Sequence, residues 1–189
     1  IMCFFIAQGY IHTRSVCMYA TRLTVFALIS HIPFVLFVNH TITLIPTSVI
    51  FTLLLGLLAI YVYDKVPPSF TKALLLVGIY FLSLFGDWYF LAVTFCLIFF
   101  IYRDNITKQA MIFSLVNIAH FILLLITTMQ SGANLIAALV HNGYHLGTLL
   151  SLPFLALYNG KRGGNAYTRW IFYIFYPAHL FILYMLLQA

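Results

Sequence analysis

The sequence predicts an all-α fold, a polytopic transmembrane helix bundle of about seven to eight spans forming a single transmembrane domain over residues 1–189. Three observations lead there. Of the 189 residues, 64% are hydrophobic and 6% charged, with three acidic residues in all. A soluble fold of this size has no interior large enough to hide so much apolar surface, so lipid must be the solvent for most of it. The apolar runs approach the roughly 20 residues that a helix needs to cross a bilayer, and they lack the alternation of a barrel strand. Finally, the Lys and Arg residues fall only in alternate polar breaks between the runs.

The spans are expected near 1–9 (partial), 17–38, 47–63, 70–86, 88–102, 110–130, 134–158 and 167–188. The first is cut short at Ile1, so the chain is expected to be an N-terminally truncated fragment, and the stretch has neither the basic region nor the cleavage site of a signal peptide. Arg14 and Arg22 lie in or just past the first break, Lys65 and Lys72 in the third, which also holds Pro67-Pro68. Only Gly86-Asp87 divides the fourth span from the fifth. Arg103 and Lys108 mark the fifth break, and Lys161, Arg162 and Arg169 the seventh. The second, fourth and sixth breaks, 39–46, 86–87 and 131–133, contain no Lys or Arg. All nine basic residues on one side is the pattern of a multi-pass protein with its odd breaks in the cytoplasm and its C-terminus outside. A net charge of +6 distributed in this way orients a protein in a membrane and gives no reason to expect nucleic acid as a partner. Cys3, Cys17 and Cys96, odd in number and without CxxC spacing, are expected to be buried small hydrophobes.

Polar side chains inside a span are costly and need a partner or a task. His120, His145 and His179 fall at similar mid-span depth on three different helices. Pro177 frees a backbone carbonyl one turn back, so His179 either hydrogen-bonds that carbonyl or serves as a neutral general base in a low-dielectric site. His141 and His145 have the i, i+4 spacing that can grip a metal, but Asn142 stands where a zinc protease motif needs Glu, and no metal is expected. Gly143 and Gly147 in the same stretch would permit close helix approach. His120, with Asn117 nearby, reads equally as interhelical glue. Asp87 is the one acid away from the basic breaks. It either ends a helix beside Trp88 and Tyr89 at the interface or orients a histidine, as carboxylates do in catalytic dyads. Lys161-Arg162-Gly163-Gly164 has the composition of a phosphate-cradling turn or of an ordinary basic loop.

The tail Tyr158-Asn159-Gly160-Lys161-Arg162-Gly163, with Arg169-Trp170-Ile171-Phe172-Tyr173-Ile174-Phe175-Tyr176-Pro177-Ala178-His179-Leu180, resembles the C-terminal signature of the TraX family, the F-pilin acetylation proteins. The stretches Arg22–Phe34 and Phe51–Gly56 are similar to the same family. Gln8 stands where relatives often carry Glu, and His31 where Gln is usual. The resemblance implies a multi-pass protein of the bacterial inner membrane that moves an acetyl group from cytoplasmic acetyl-CoA to an amine acceptor such as a pilin N-terminus. It implies acetyl-CoA as donor, bound by Lys161, Arg162, Arg169 and Tyr176, and catalysis by His179, Asp87 and His145. A transporter or proton pathway built on intramembrane histidines is the competing class, and a membrane haem protein is a third.

Overall fold

The polar breaks carry their own stop and start signals. The side chains of Ser15, Ser69, Asn105 and Asn134 each accept the backbone N–H three residues on, at 3.3, 3.3, 2.9 and 2.8 Å, and so satisfy an orphan donor where a helix begins. The computed structural model describes residues 1–41, 43–45, 47–158 and 168–188, apart from the side chains of 39, 168–170, 172 and 188. Its helices are α1 (Met2–His12), α2 (Val16–Asn39), α3 (Val49–Lys65), α4 (Phe70–Ser83), α5 (Tyr89–Ile101), α6 (Ile106–Gln130), α7 (Leu135–Asn142), α8 (Ser151–Ala156) and α9 (Thr168–Gln188). A 3₁₀ segment, Gly143–Leu150, joins α7 to α8. Among the described residues there is no strand, only one isolated bridge between Thr47 and Gly86. The protein is a helical membrane bundle.

The chain forms two compact units, Ile101–Lys161 and Met2–Phe100 with Arg162–Ala189. In the larger, α3 is apolar and mostly buried as far as Ile60, and exposes Tyr61, Tyr63, Asp64 and Lys65 only at its end. Leu55, Ala59 and Val62 of α3 pack with Ile79 of α4 and Val93 of α5. At Gly56 a Cβ would stand 2.5 Å from the Cys96 sulfur, so only glycine lets α5 approach this closely. Cys3 and Cys96 are buried as expected, whereas Cys17 is exposed.

Polar contacts in this unit tie like breaks together. On the basic side the Tyr10 hydroxyl donates to Asp64 Oδ2 at 2.8 Å, linking the first break to the third. On the other side the Thr47 N–H donates to the Phe85 carbonyl at 2.9 Å and the Asp87 N–H to the Thr47 carbonyl at 3.2 Å, linking the second to the fourth. The pairing of odd with odd and even with even agrees with the alternation of the basic residues.

In the smaller unit α6 is, like α2, long and apolar enough to cross a membrane, and Leu135–Ala156 spans as one interrupted rod. The expected continuous helix over 134–158 is broken at Gly143, where the 3₁₀ segment rises about 2 Å per residue and stretches the rod. The glycines do not serve close helix approach, since a Cβ at Gly143 or Gly147 would meet nothing within 4 Å.

Candidate functional site

Helix lengths place irregular backbone inside the bilayer. α2, with 24 residues, is about 36 Å long, but α4 and α5, with 14 and 13, reach only about 21 and 20 Å, short of the roughly 30 Å hydrocarbon core. The turn between α4 and α5 therefore stops short of the non-basic face. The segment leading into α3 comes down to meet it. After α2 ends at His40, in the left-handed region with φ 56°, the chain runs back along α2. There the Thr43 carbonyl lies 2.8 Å from His31 Nε2, and the Ser48 hydroxyl donates to the Ala27 carbonyl at 3.4 Å. Ala27 lies about 17 Å along α2, so α3 starts beside the middle of that helix.

Non-helical backbone at this depth survives only if its polar groups are paired or line a polar cavity. Here the pairing is with protein. Besides the Thr47 contacts to the Phe85 carbonyl and the Asp87 N–H, the Thr47 hydroxyl donates to the Phe85 carbonyl at 3.1 Å. A Cβ on Gly86 would collide with the Thr52 methyl group, so glycine is required where the turn presses on α3. The Val49 N–H, in the first turn of α3, donates to the Tyr176 hydroxyl oxygen at 3.3 Å. Asp87 is half-buried in this turn. It lies within electrostatic reach of Tyr176.

His179 sits on α9 three residues beyond Tyr176, and the two rings meet edge to face with centroids 5.5 Å apart. The Phe175 ring stacks on the imidazole at 5.0 Å and 13°. His179 Nδ1 is 3.0 Å from the Phe175 carbonyl. A carbonyl only accepts, so the proton is on Nδ1, and in the neutral ring the Nε2 lone pair faces outward as a base. The carbonyl used differs from the one expected: Pro177 frees that of Tyr173, whereas the imidazole takes that of Phe175. In the larger unit Tyr176 thus meets His179, the first turn of α3 and, through space, Asp87, whereas His31 is taken by the Thr43 carbonyl.

His145 belongs to the smaller unit. Its ring meets that of His120 edge to face at 5.6 Å and lies 4.1 Å from the Tyr144 ring. The junction of α7 with the 3₁₀ segment falls between His141 and His145, so the i, i+4 pair does not share one α-helical face. Among the described residues no group of three or more His, Cys, Asp or Glu is placed to hold a metal ion. The neighbouring polar groups bond one another: Thr148 donates to Asn117 Oδ1 at 2.6 Å and Asn142 Nδ2 to the Thr128 hydroxyl at 2.9 Å. Asn117 is thus interhelical glue. Lys161 and Arg162 lie outside the described residues, and Arg169 stands in the first turn of α9 with its side chain outside them.

The returning segment and its contacts with His31 and Ala27 were not foreseen from the sequence. Two signals point to them in retrospect. The break 39–48 is rich in hydroxyls, and the apolar runs 70–83 and 89–101 are too short to cross unaided.

These features define a polytopic, all-helical membrane protein with a cluster of ionisable side chains built around irregular backbone at mid-span depth. The chain belongs to the TraX protein family, whose profile matches residues 1–187. It is similar to the probable fimbrial assembly protein FimC, serogroup H1, of Dichelobacter nodosus, at 30% identity over 192 residues that cover 97% of this chain and 77% of that protein. No solved structure matches.

Proposed function

We propose that the protein is an acetyltransferase of the bacterial inner membrane that moves an acetyl group from cytoplasmic acetyl-CoA to an amine acceptor of the pilin N-terminus type. The observation that carries this reading is the fixed tautomer of His179: with Nδ1–H held by the Phe175 carbonyl, Nε2 is the available base, beside Tyr176 and at mid-span depth. His179 Nε2 takes a proton from the acceptor ammonium, and the freed amine nitrogen attacks the thioester carbonyl carbon. The imidazole, having passed that first proton to water, takes the second N–H proton from the attacking nitrogen; the C–S bond breaks as the carbonyl re-forms to leave the amide, and the departing thiolate receives this proton from the imidazolium. Asp87, within reach of Tyr176, favours the positive charge that develops on the imidazole when its carboxyl is ionised. Lys161, Arg162 and Arg169 in the basic loop and first turn of α9 supply charges for the donor phosphates. The fimbrial assembly relative supports an acceptor drawn from a surface fibre. Membranes carrying the protein, incubated with labelled acetyl-CoA and analysed by mass spectrometry, should yield a labelled amine; no protein-dependent label would overturn the proposal.

A proton pathway is the second reading, and the row formed by Asn117, His120, His145, Thr148, Asn142 and Thr128 in the smaller unit favours it. It requires pH-dependent flux in liposomes with no consumption of acetyl-CoA.

A further inference from the structure

We infer that Arg22 binds a phosphate group at the basic-side end of the groove between α2 and α9. Arg22 lies about 9 Å inside α2, six residues beyond its start at Val16. Its guanidinium stands over the Tyr19 ring at 5.9 Å. Its Nε is buried and has no hydrogen-bond partner among the described residues. A guanidinium does not lose its proton in a protein, so it cannot escape the cost of burial by becoming neutral.

The chain cannot supply the missing anion from its three carboxylates. Asp64 is taken by the Tyr10 hydroxyl at 2.8 Å and by Lys65 at 2.9 Å. Asp104 lies 3.8 Å from Arg103. Asp87 belongs to the turn bonded to Thr47, at the opposite end of α4 from the basic side.

Helix register places a second arginine of the sequence at the same height. The Phe26 ring of α2 stacks on Tyr173 of α9 at 4.8 Å and 22°, and further along Phe34 and Val35 pack with Leu180. The two helices therefore run parallel with a constant offset. Arg22 is four residues before Phe26, and Arg169 is four before Tyr173, so the two arginines occupy matching positions on neighbouring helices. A phosphate, as a monoester or a diester, supplies the anion, and its oxygens fit the fork of donors that includes the free Nε–H. Tyr19, Phe26 and Tyr173 give the apolar walls for whatever carries the phosphate.

A phosphate at this depth comes from one of two sources, a lipid headgroup or a phosphorylated ligand of the aqueous phase. The second rests on the acetyl-CoA reading; the site itself does not. The full chain in phosphatidylcholine nanodiscs separates them by thermal unfolding, with adenosine 3′,5′-bisphosphate as the soluble probe and phosphatidylglycerol added to the bilayer as the lipid probe. Wild type should gain melting temperature with one of the two, and Arg22→Gln should weaken that probe's apparent affinity at least tenfold. Arg22→Lys keeps the charge but not the fork, and should bind several-fold more weakly than wild type; it also serves if the Gln variant does not fold. A response to the bisphosphate alone assigns a soluble ligand, and to phosphatidylglycerol alone a lipid. No response in wild type, or wild-type affinity in both variants, overturns the inference. Acetyl transfer measured on the same preparation tests the other reading separately, since probe binding at Arg22 survives its failure.

Discussion

The Tyr176 hydroxyl oxygen accepts the Val49 backbone N–H at 3.3 Å across 127 residues of sequence, and so joins the last described helix to the first turn of the central one. That N–H has no partner within α3, because the first four donors of any helix lack one. Ser48, at the cap position, gives its hydroxyl to Ala27 instead of capping the helix. Tyr176→Phe would leave the donor unpaired in a largely buried place, which costs about 1–3 kcal/mol. The variant should melt at a lower temperature in detergent than wild type; an unchanged melting temperature would show that the contact carries no stability.

Two glycines should respond in opposite ways to the same change. At Gly56 a new methyl group would sit 2.5 Å from the Cys96 sulfur between buried helices, an overpacking that costs about 1–3 kcal/mol. At Gly147 the methyl group meets nothing within 4 Å. Gly147→Ala should therefore be neutral or stabilise by about 0.4–1 kcal/mol through the unfolded chain. Chemical denaturation of both variants checks the contrast, and equal losses would contradict the packing described for α3 and α5.

The all-helical membrane class and many helix ends were legible because hydropathy and basic residues act locally. Lys65, Arg103 and the hydroxyl caps at Ser15 and Ser69 announce helix ends within one or two residues of where they fall. The return of the chain along α2 was not legible. It depends on pairings such as His31 with Thr43 and Thr47 with Phe85, which join distant or oppositely running segments that no periodicity reports. The site was legible in part for the same reason. Asp87, Tyr176 and His179 stand out as polar groups in apolar runs, but the choice of carbonyl that fixes the His179 tautomer depends on the side-chain rotamer. The break at Gly143 likewise has no local sign, since the run from Leu135 to Ala156 is apolar enough to read as one helix.

Asn117 and Thr148 should be energetically coupled. Thr148 donates to Asn117 Oδ1 at 2.6 Å, and Asn117 Nδ2 donates to the Phe113 carbonyl at 2.8 Å. Hydrogen bonds between helices in membranes contribute about 0.6 kcal/mol on average and up to about 1.7. A double-mutant cycle with Asn117→Ala and Thr148→Val should return a coupling in that range; strict additivity would mean that the two side chains do not interact in the membrane.

His179 offers a substitution that separates position from chemistry. An asparagine amide occupies nearly the place of Nδ1, so Asn can keep the donor to the Phe175 carbonyl while providing no basic nitrogen. Glutamine reaches toward the Nε2 position but gives up the short bond to Phe175. If Nε2 is the general base, His179→Asn should keep the stability of wild type and lose about 10²–10⁴-fold in acetyl transfer. If the imidazole merely props α9, the outcome reverses: Asn preserves activity along with stability. Rates and melting temperatures from one preparation of each variant decide between the two roles.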